Sequence, residues 1–138
     1  MTSRLHEKGE ETMQLNHECV RDLLLYIEDH ANYHTKLSVD SIRLEKYSFE
    51  EIVYTVEKLS EADFINVTYI ARAGGQLPGF IIQSITYDGH EFLDNIRDNS
   101  VWKDTKKQLS NFSSTSLQIL SSVAVQILSA KIKFQLGI

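Results

Sequence analysis

"FINVTYIARAGGQLPGFIIQSITYDGHEF", residues Phe64–Phe92, decides the fold. Two runs rich in β-branched and aromatic residues, FINVTYIA and FIIQSITY, show the period of two that favours β-strands. The segment between them, RAGGQLPG, contains three glycines and the one proline of the chain, which is typical of a loop. The sequence therefore predicts a β-hairpin in which Ile65–Ala71 pairs with Phe80–Thr86.

Helical periodicity lies on both sides of this hairpin. Three positions carry an N-cap pattern immediately before such periodicity: Asn16, Ser48 with Glu51, and Asp88 with Glu91. The first helix extends to about His30, and the third extends through Asn95 and onward past Trp102. The segment TKLSVDSIRLEKY fits either a short strand or a short helix. After a cluster of Ser, Thr and Asn, the last residues form a long apolar helix.

The order of these elements is that of a winged helix-turn-helix: helix, short element, capped helix, strand, glycine loop, strand, helix. We therefore expect an α+β fold, a winged helix-turn-helix-like domain with a long C-terminal helix. The Ser48 helix would take the recognition position, and RAGGQLPG would be the wing. We expect a disordered polar lead over 1–13, the winged-helix-like domain over 14–112, and the C-terminal helix over 113–138 as an oligomerisation element.

Length and composition limit the cellular setting. A chain of 138 residues is long enough for one domain with a substantial core. Its one cysteine, Cys19, allows no intramolecular disulfide, which favours a reducing compartment and a cytoplasmic location. The first residues have no apolar segment typical of a secretory signal, and translation could start at Met1 or Met13.

Three segments resemble a known family: MQLNHECVRDLLLYIED (13–29), YSFEEIVYTVEKLSEADFI (47–65) and ITYDGHEFLDNIRDNSVWKDTK (85–106). They are similar to an uncharacterised bacterial and phage-associated family, domain of unknown function family twenty-five-thirteen. The resemblance covers Met13 to Leu120 and implies a winged-helix-like fold in a phage or prophage setting. It implies no catalytic residues. In SEADFI this chain departs from the family, which more often has a glycine before the aromatic residue.

The segment ITYDGHEFLDNIRD invites a catalytic interpretation, in which His90 is a general base oriented by Glu91 or Asp88. Adjacent helical residues do not face each other, so His90 and Glu91 are poorly placed to pair. No nucleophile or phosphate-binding loop lies near them at a recognisable spacing. The pattern favours a strand-to-helix corner, and we expect no enzyme, no catalytic residue and no cofactor.

A metal site is the next candidate, because His30 and His34 are four residues apart. His17 and Cys19 lie at the other end of the first predicted helix. An axial rise of ~1.5 Å per residue separates the two pairs by at least ~15 Å. No other ligand pair completes either half, so we expect solvated histidines and no metal.

DNA binding is suggested by the fold class and by five basic residues: Lys58, Arg72, Lys103, Lys106 and Lys107. Against it, the predicted recognition helix carries four glutamates and the single Lys58. The whole chain has a net charge of −5, whereas affinity for DNA comes largely from lysine and arginine at phosphates. We retain a DNA-binding transcriptional regulator as the alternative function.

The C-terminal segment SLQILSSVAVQILSAKIKFQLGI has one narrow polar stripe on a helical wheel: Gln118, Ser122, Gln126, Ser129 and Lys133. Most of the remaining circumference is apolar. Interleaved Ser, Gln and Lys argue against membrane insertion, and two lysines are few for peripheral membrane binding. We expect a homo-oligomer, most simply a dimer, with this predicted interface: Leu120, Val123, Ile127 and Phe134. A tail buried entirely within one subunit is the alternative.

Together these patterns predict a non-enzymatic regulatory or adaptor module that acts through protein–protein contacts. The acidic helix, the glycine-rich wing and the apolar C-terminal helix are the features that favour this function. The sequence does not identify the protein partner.

Overall fold

A computed structural model describes residues 13–138 of the chain. The polar lead that we predict over 1–13 lies, apart from Met13, outside the described residues. The elements in chain order are α1 (His17–His30), β1 (Leu37–Ser38), a 3-10 helix (Val39–Ser41), α2 (Phe49–Glu61), β2 (Ile65–Ile70), β3 (Gly79–Ile85), α3 (Tyr87–Ile96), α4 (Asn99–Leu109) and α5 (Leu117–Leu136).

The three strands form one antiparallel sheet in the order β1-β3-β2. The predicted hairpin is confirmed, with Ile65 opposite Ile85 at one end and Ile70 opposite Gly79 at the other. The ambiguous segment before α2 contains both elements, because β1 pairs with β3 and the 3-10 helix follows directly. The α+β class and the long C-terminal helix are therefore confirmed. The element order is compatible with a winged-helix arrangement.

The chain divides into two compact units, one ending at Gly89 and the other comprising His90–Ile138. The first contains α1, α2 and the sheet. The second contains α4, α5 and most of α3. The boundary that we predict from sequence after residue 112 is a different division and stays a prediction.

In the first unit, α1 and α2 begin at linked caps. The Asn16 side-chain oxygen accepts hydrogen bonds from the backbone N–H groups of Glu18 and Cys19, at 2.9 and 3.3 Å. Ser48 caps α2 by accepting from the Glu51 N–H at 3.1 Å. The carboxylate of Glu51 accepts a 3.0 Å hydrogen bond from the Asn16 side-chain amide. Both predicted caps are confirmed, and Glu51 connects the starts of the two helices.

The core of this unit combines the apolar sides of both helices with one face of the sheet. Its fully buried larger residues are Leu23, Leu24, Ile27, Leu59, Ile65 and Ile82. Tyr47 packs at its edge and donates a 2.6 Å hydrogen bond to the Asp22 carboxylate. Burial and this contact raise the pKa of Tyr47, so the phenol stays protonated as a structural donor.

The predicted start of the third helix is wrong by two residues. We expect Asp88 as the N-cap, but α3 begins at Tyr87, and the Thr86 hydroxyl accepts from the Gly89 N–H at 3.0 Å. The same hydroxyl donates to the Asp63 backbone oxygen at 2.6 Å. This tertiary hydrogen bond favours Thr86 as the cap, because it joins the corner to the turn before β2.

The prediction of the third helix is wrong in a second respect, because the structure has two helices, α3 and α4, in its place. α3 ends at Ile96, and Asp98 caps α4 by accepting a hydrogen bond from the Val101 N–H at 2.9 Å. A seven-residue connection then leads to α5, which Ser116 caps through the Ile119 N–H at 3.1 Å. α4 and α5 pack together as an αα-hairpin. The buried residues of this second unit are Phe92, Leu93, Ile96, Val101, Trp102, Thr105, Leu120 and Ala124.

Candidate interaction surfaces

At the strand-to-helix corner, the backbone at Gly89 lies close to the backbone at Phe64. A Cβ added at Gly89 would overlap the backbone oxygen of Phe64, which also accepts a 2.9 Å hydrogen bond from the Thr86 N–H. Glycine is therefore needed here for space. His90, which the rejected catalytic interpretation would make a general base, is exposed in the first turn of α3.

The one cysteine lies in the core. Cys19 is buried on α1, with the Thr55 hydroxyl 3.4 Å from its sulfur. Burial raises its pKa to about 12, which keeps the thiol protonated at neutral pH and unsuited to nucleophilic attack.

The three histidines considered as metal ligands lie at the ends of α1 or just after it. His17 is the first residue of α1, and burial lowers its pKa. His30, at the last turn, stacks on Tyr26 with ring centroids 3.9 Å apart, and His34 lies in the exposed loop that follows. Within residues 13–138, no group of three or more His, Cys, Asp and Glu side chains is arranged to hold a metal ion.

Two of the predicted DNA contacts are engaged with carboxylates. Lys58 lies 3.0 Å from both oxygens of Glu61 on the same helix. Arg72, in the loop between β2 and β3, makes two hydrogen bonds to Asp40, at 2.7 and 3.3 Å. The Arg72 guanidinium holds the pKa of Asp40 below its usual value. Both cations therefore have their charge offset by a neighbouring acid.

The other three predicted DNA contacts share α4. Lys103, Lys106 and Lys107 are exposed, while Trp102 on the same helix is buried, as we expect from the sequence. The Lys106 ammonium lies 5.6 Å from the centre of the Trp102 ring, within the range of a cation–π contact.

α5 is the least covered element of the second unit. Of its twenty residues, Leu120 and Ala124 are buried. Leu120 is 2% exposed, so we remove it from the predicted interface, because its side chain already packs within its own chain. Val123 and Ile127 are half-buried, and Phe134 is 84% exposed. These three remain accessible to a partner.

The exposed apolar residues of α5 lie on two sides of the polar stripe. We call one side the seam: Val123, Ile127, Ala130 and Phe134. The other side contains Val125 and Ile132, and Leu136 lies at the edge of the stripe next to them; all three are exposed. At 100° per residue, the stripe from Gln118 to Lys133 separates these two sides.

A shallow groove of about 560 Å³ runs beside the seam, between α4 and α5. Its α5 wall is formed by Ile127, Ala130 and Lys131, and its α4 wall by Asp104, Lys107 and Gln108. Lys131 crosses the hairpin to Asp104 at 3.1 Å. The groove thus has an apolar floor next to the seam and a polar rim on α4.

By length and composition, α5 is able to cross a membrane: it has 20 residues with a mean hydropathy of 1.2 over an 18-residue window. Buried helices of globular proteins also satisfy this criterion. α5 differs from them because 11% of that window is buried in the chain.

The fold defines a class of protein: a small α+β domain with a three-stranded antiparallel sheet, followed by a long C-terminal helix. A family model described as "Hypothetical protein (DUF2513)" matches residues 14–116, and the chain belongs to this family. An uncharacterized protein of Haemophilus influenzae is 27% identical over 118 residues, which cover 85% of this chain and 97% of that relative. No solved structure matches.

Proposed function

We propose that this protein is a non-enzymatic regulatory or adaptor module that acts through protein–protein contacts and self-associates through α5. One observation carries the proposal: an apolar helix of twenty residues with little of its surface covered by its own chain. We place this activity in the cytoplasm, in the phage or prophage setting that the family resemblance implies. The partner beyond a second copy is unidentified.

A protein partner suits this surface better than a lipid bilayer. A helix lying in a membrane surface needs one continuous apolar side. On α5 the stripe of Gln118, Ser122, Gln126, Ser129 and Lys133 divides the exposed apolar residues into two sides. Each side is narrow enough to be covered by one helix, and burial of apolar area is the main favourable term in association.

The extent of the family match supports treating α5 separately in this proposal. The matched region ends at residue 116, and α5 begins at Leu117. The elements from α1 to α4 lie within the residues that the family model matches. α5 adds the exposed apolar surface, so the contacts that we propose come from the part of the chain beyond the matched region.

The test is light scattering on the full chain at micromolar concentration, with two matched variants. Phe134→Ser removes the aromatic residue of the seam, and Leu136→Ser removes an exposed apolar residue (66%) at the edge of the stripe farthest from the seam. Neither side chain is buried, so both variants should fold. We expect a dimer for the wild type and Leu136→Ser, and a shift toward monomer for Phe134→Ser. A monomeric wild-type chain would end the proposal.

DNA binding by a winged-helix regulator is the second candidate, favoured by the three exposed lysines of α4. Its test is binding to random DNA and to DNA from the native operon, at low and at physiological salt. Submicromolar, salt-sensitive binding lost in Lys103/Lys106/Lys107→Ala would promote this candidate. Lys36→Ala, at an exposed site in the first unit, is the control variant. Under our proposal no such binding occurs.

A further inference from the structure

The apolar residues on the seam side of α5 follow the spacing of a coiled coil. Positions 120, 123, 127, 130 and 134 alternate steps of three and four residues, as the a and d positions of a heptad do. Within α5 the a positions hold Leu120, Ile127 and Phe134, and the d positions hold Val123 and Ala130. Each a side chain of the helix is therefore larger than each d side chain.

We propose that the occupant of the seam is a second copy of α5 packed antiparallel to the first. In an antiparallel pair, each a residue lies opposite a d residue of the other copy. Phe134 then meets Val123, and Ile127 meets Ala130, so every layer combines one large and one small side chain. This orientation deepens the proposed function and rests on it.

A parallel pair would pack less evenly. Parallel helices place a opposite a and d opposite d, so the two Phe134 side chains would share one layer and the two Ala130 side chains another. The first layer would be crowded and the second would leave a void, and both conditions cost stability. The antiparallel orientation therefore fits these side chains better, because each of its layers pairs a larger with a smaller side chain.

The structure leaves room for this pairing. Leu120 is turned into its own chain, and the four layers that remain extend from Val123 to Phe134, over ~17 Å of helix. The groove beside Ile127 and Ala130 lies along the same line, with the polar rim of α4 at its edge. An apolar centre with a polar rim is the usual composition of a protein interface.

Thiol cross-linking distinguishes the two orientations. At antiparallel register, Gln126 of one copy lies within ~3 Å of the height of Lys133 of the other, and both are exposed beside the seam. Gln126→Cys and Lys133→Cys chains of different mass are mixed and treated with a short bifunctional thiol reagent. We expect a mixed product. Val125→Cys, at the same height on the other side of α5, is the matched control and should give little mixed product with Lys133→Cys.

Val123→Cys alone reports the parallel orientation. Two copies of this position are adjacent in a parallel pair but ~16 Å apart along the axis in the antiparallel pair. Cys19 is buried, and the wild-type chain measures its background. A Val123→Cys homodimer product, or no Gln126–Lys133 product from a chain that is dimeric by light scattering, would overturn the orientation. A monomer in light scattering would overturn the proposed function instead.

Discussion

Asp63 has an unusual backbone conformation. It lies in the turn between α2 and β2 with φ of 65°, in the left-handed region that L-residues other than Asn and Asp rarely adopt. This is the position in SEADFI at which the resemblance to the family implies a glycine. A positive φ is a physical reason for glycine at such a position.

We expect Asp63→Gly to raise the free energy of unfolding by about 0.5–1 kcal/mol, since glycine accepts this conformation without strain but gains freedom in the unfolded chain. Asp63→Ala should lower it by about 1 kcal/mol, because alanine keeps the steric cost without a short polar side chain. Urea denaturation of the three proteins measures both. An alanine variant as stable as the glycine variant would contradict the explanation.

Gly89 is required for a different reason. Its missing Cβ makes room for the Phe64 carbonyl oxygen, a rigid backbone group that cannot move aside. We expect Gly89→Ala to lower the free energy of unfolding by about 1–3 kcal/mol, although alanine favours helices. His90→Ala, one residue later at an exposed site, is the control and should be nearly neutral. If urea denaturation gives both variants the same free energy of unfolding, the backbone around residue 89 can shift to accommodate a Cβ.

Local capping patterns predict some residues and miss others. Asn16 and Ser48 are confirmed as caps because each is the one capping residue at its helix start. Thr86 and Asp88 are both good capping residues two positions apart, and the hydrogen bond from Thr86 to Asp63 decides between them. A contact between residues 23 positions apart is invisible to a local pattern.

At the scale of elements, α1 begins with a histidine that makes stability depend on pH. Burial lowers the pKa of His17 below the ordinary histidine value of 6.5. As the pH falls below about 6.5, the unfolded chain therefore binds a proton before the folded chain does, and stability decreases. The decrease continues until the pH passes the folded pKa.

We expect the urea midpoint to fall between about pH 7.5 and pH 5.5 by less in His17→Gln than in the wild type, because glutamine does not titrate. His34→Gln, in the exposed loop after α1, should keep the wild-type pH dependence. An identical pH dependence in all three proteins would rule out His17 as the source.

The elements themselves differ in how well the sequence predicts them. The hairpin follows from period-two patterns around a glycine loop and is confirmed, whereas the register shift between Asn66 and Val67 has no signal in those patterns. The break between α3 and α4 is missed, because Phe92, Leu93 and Trp102 continue a helical spacing across it. Asp98 is the signal that could have found the break, since it caps α4 in the middle of that spacing.

At the scale of the whole molecule, α5 shows what an amphipathic pattern leaves open. Its polar stripe is evident from sequence, but the apolar remainder has to be divided between the chain's own core and a partner. Within the second unit, Leu120 and Ala124 are buried. The Asn95 side-chain amide donates a 3.0 Å hydrogen bond to Ser121 on the same side of α5. Only the structure could show that Leu120 packs inside its own chain, whereas the seam residues remain accessible to a partner.

Association through the seam would make stability depend on protein concentration. If dissociation accompanies unfolding, mass action raises the apparent Tm as the concentration increases. We expect the Tm of the wild type and of Leu136→Ser to rise over about a hundredfold range of concentration in circular dichroism scans. Phe134→Ser removes a seam residue that is 84% exposed in the single chain, so its Tm should be nearly constant and equal to the wild-type value at the lowest concentration. A constant Tm in the wild type, or a rising one in Phe134→Ser, would show that the seam does not join two copies.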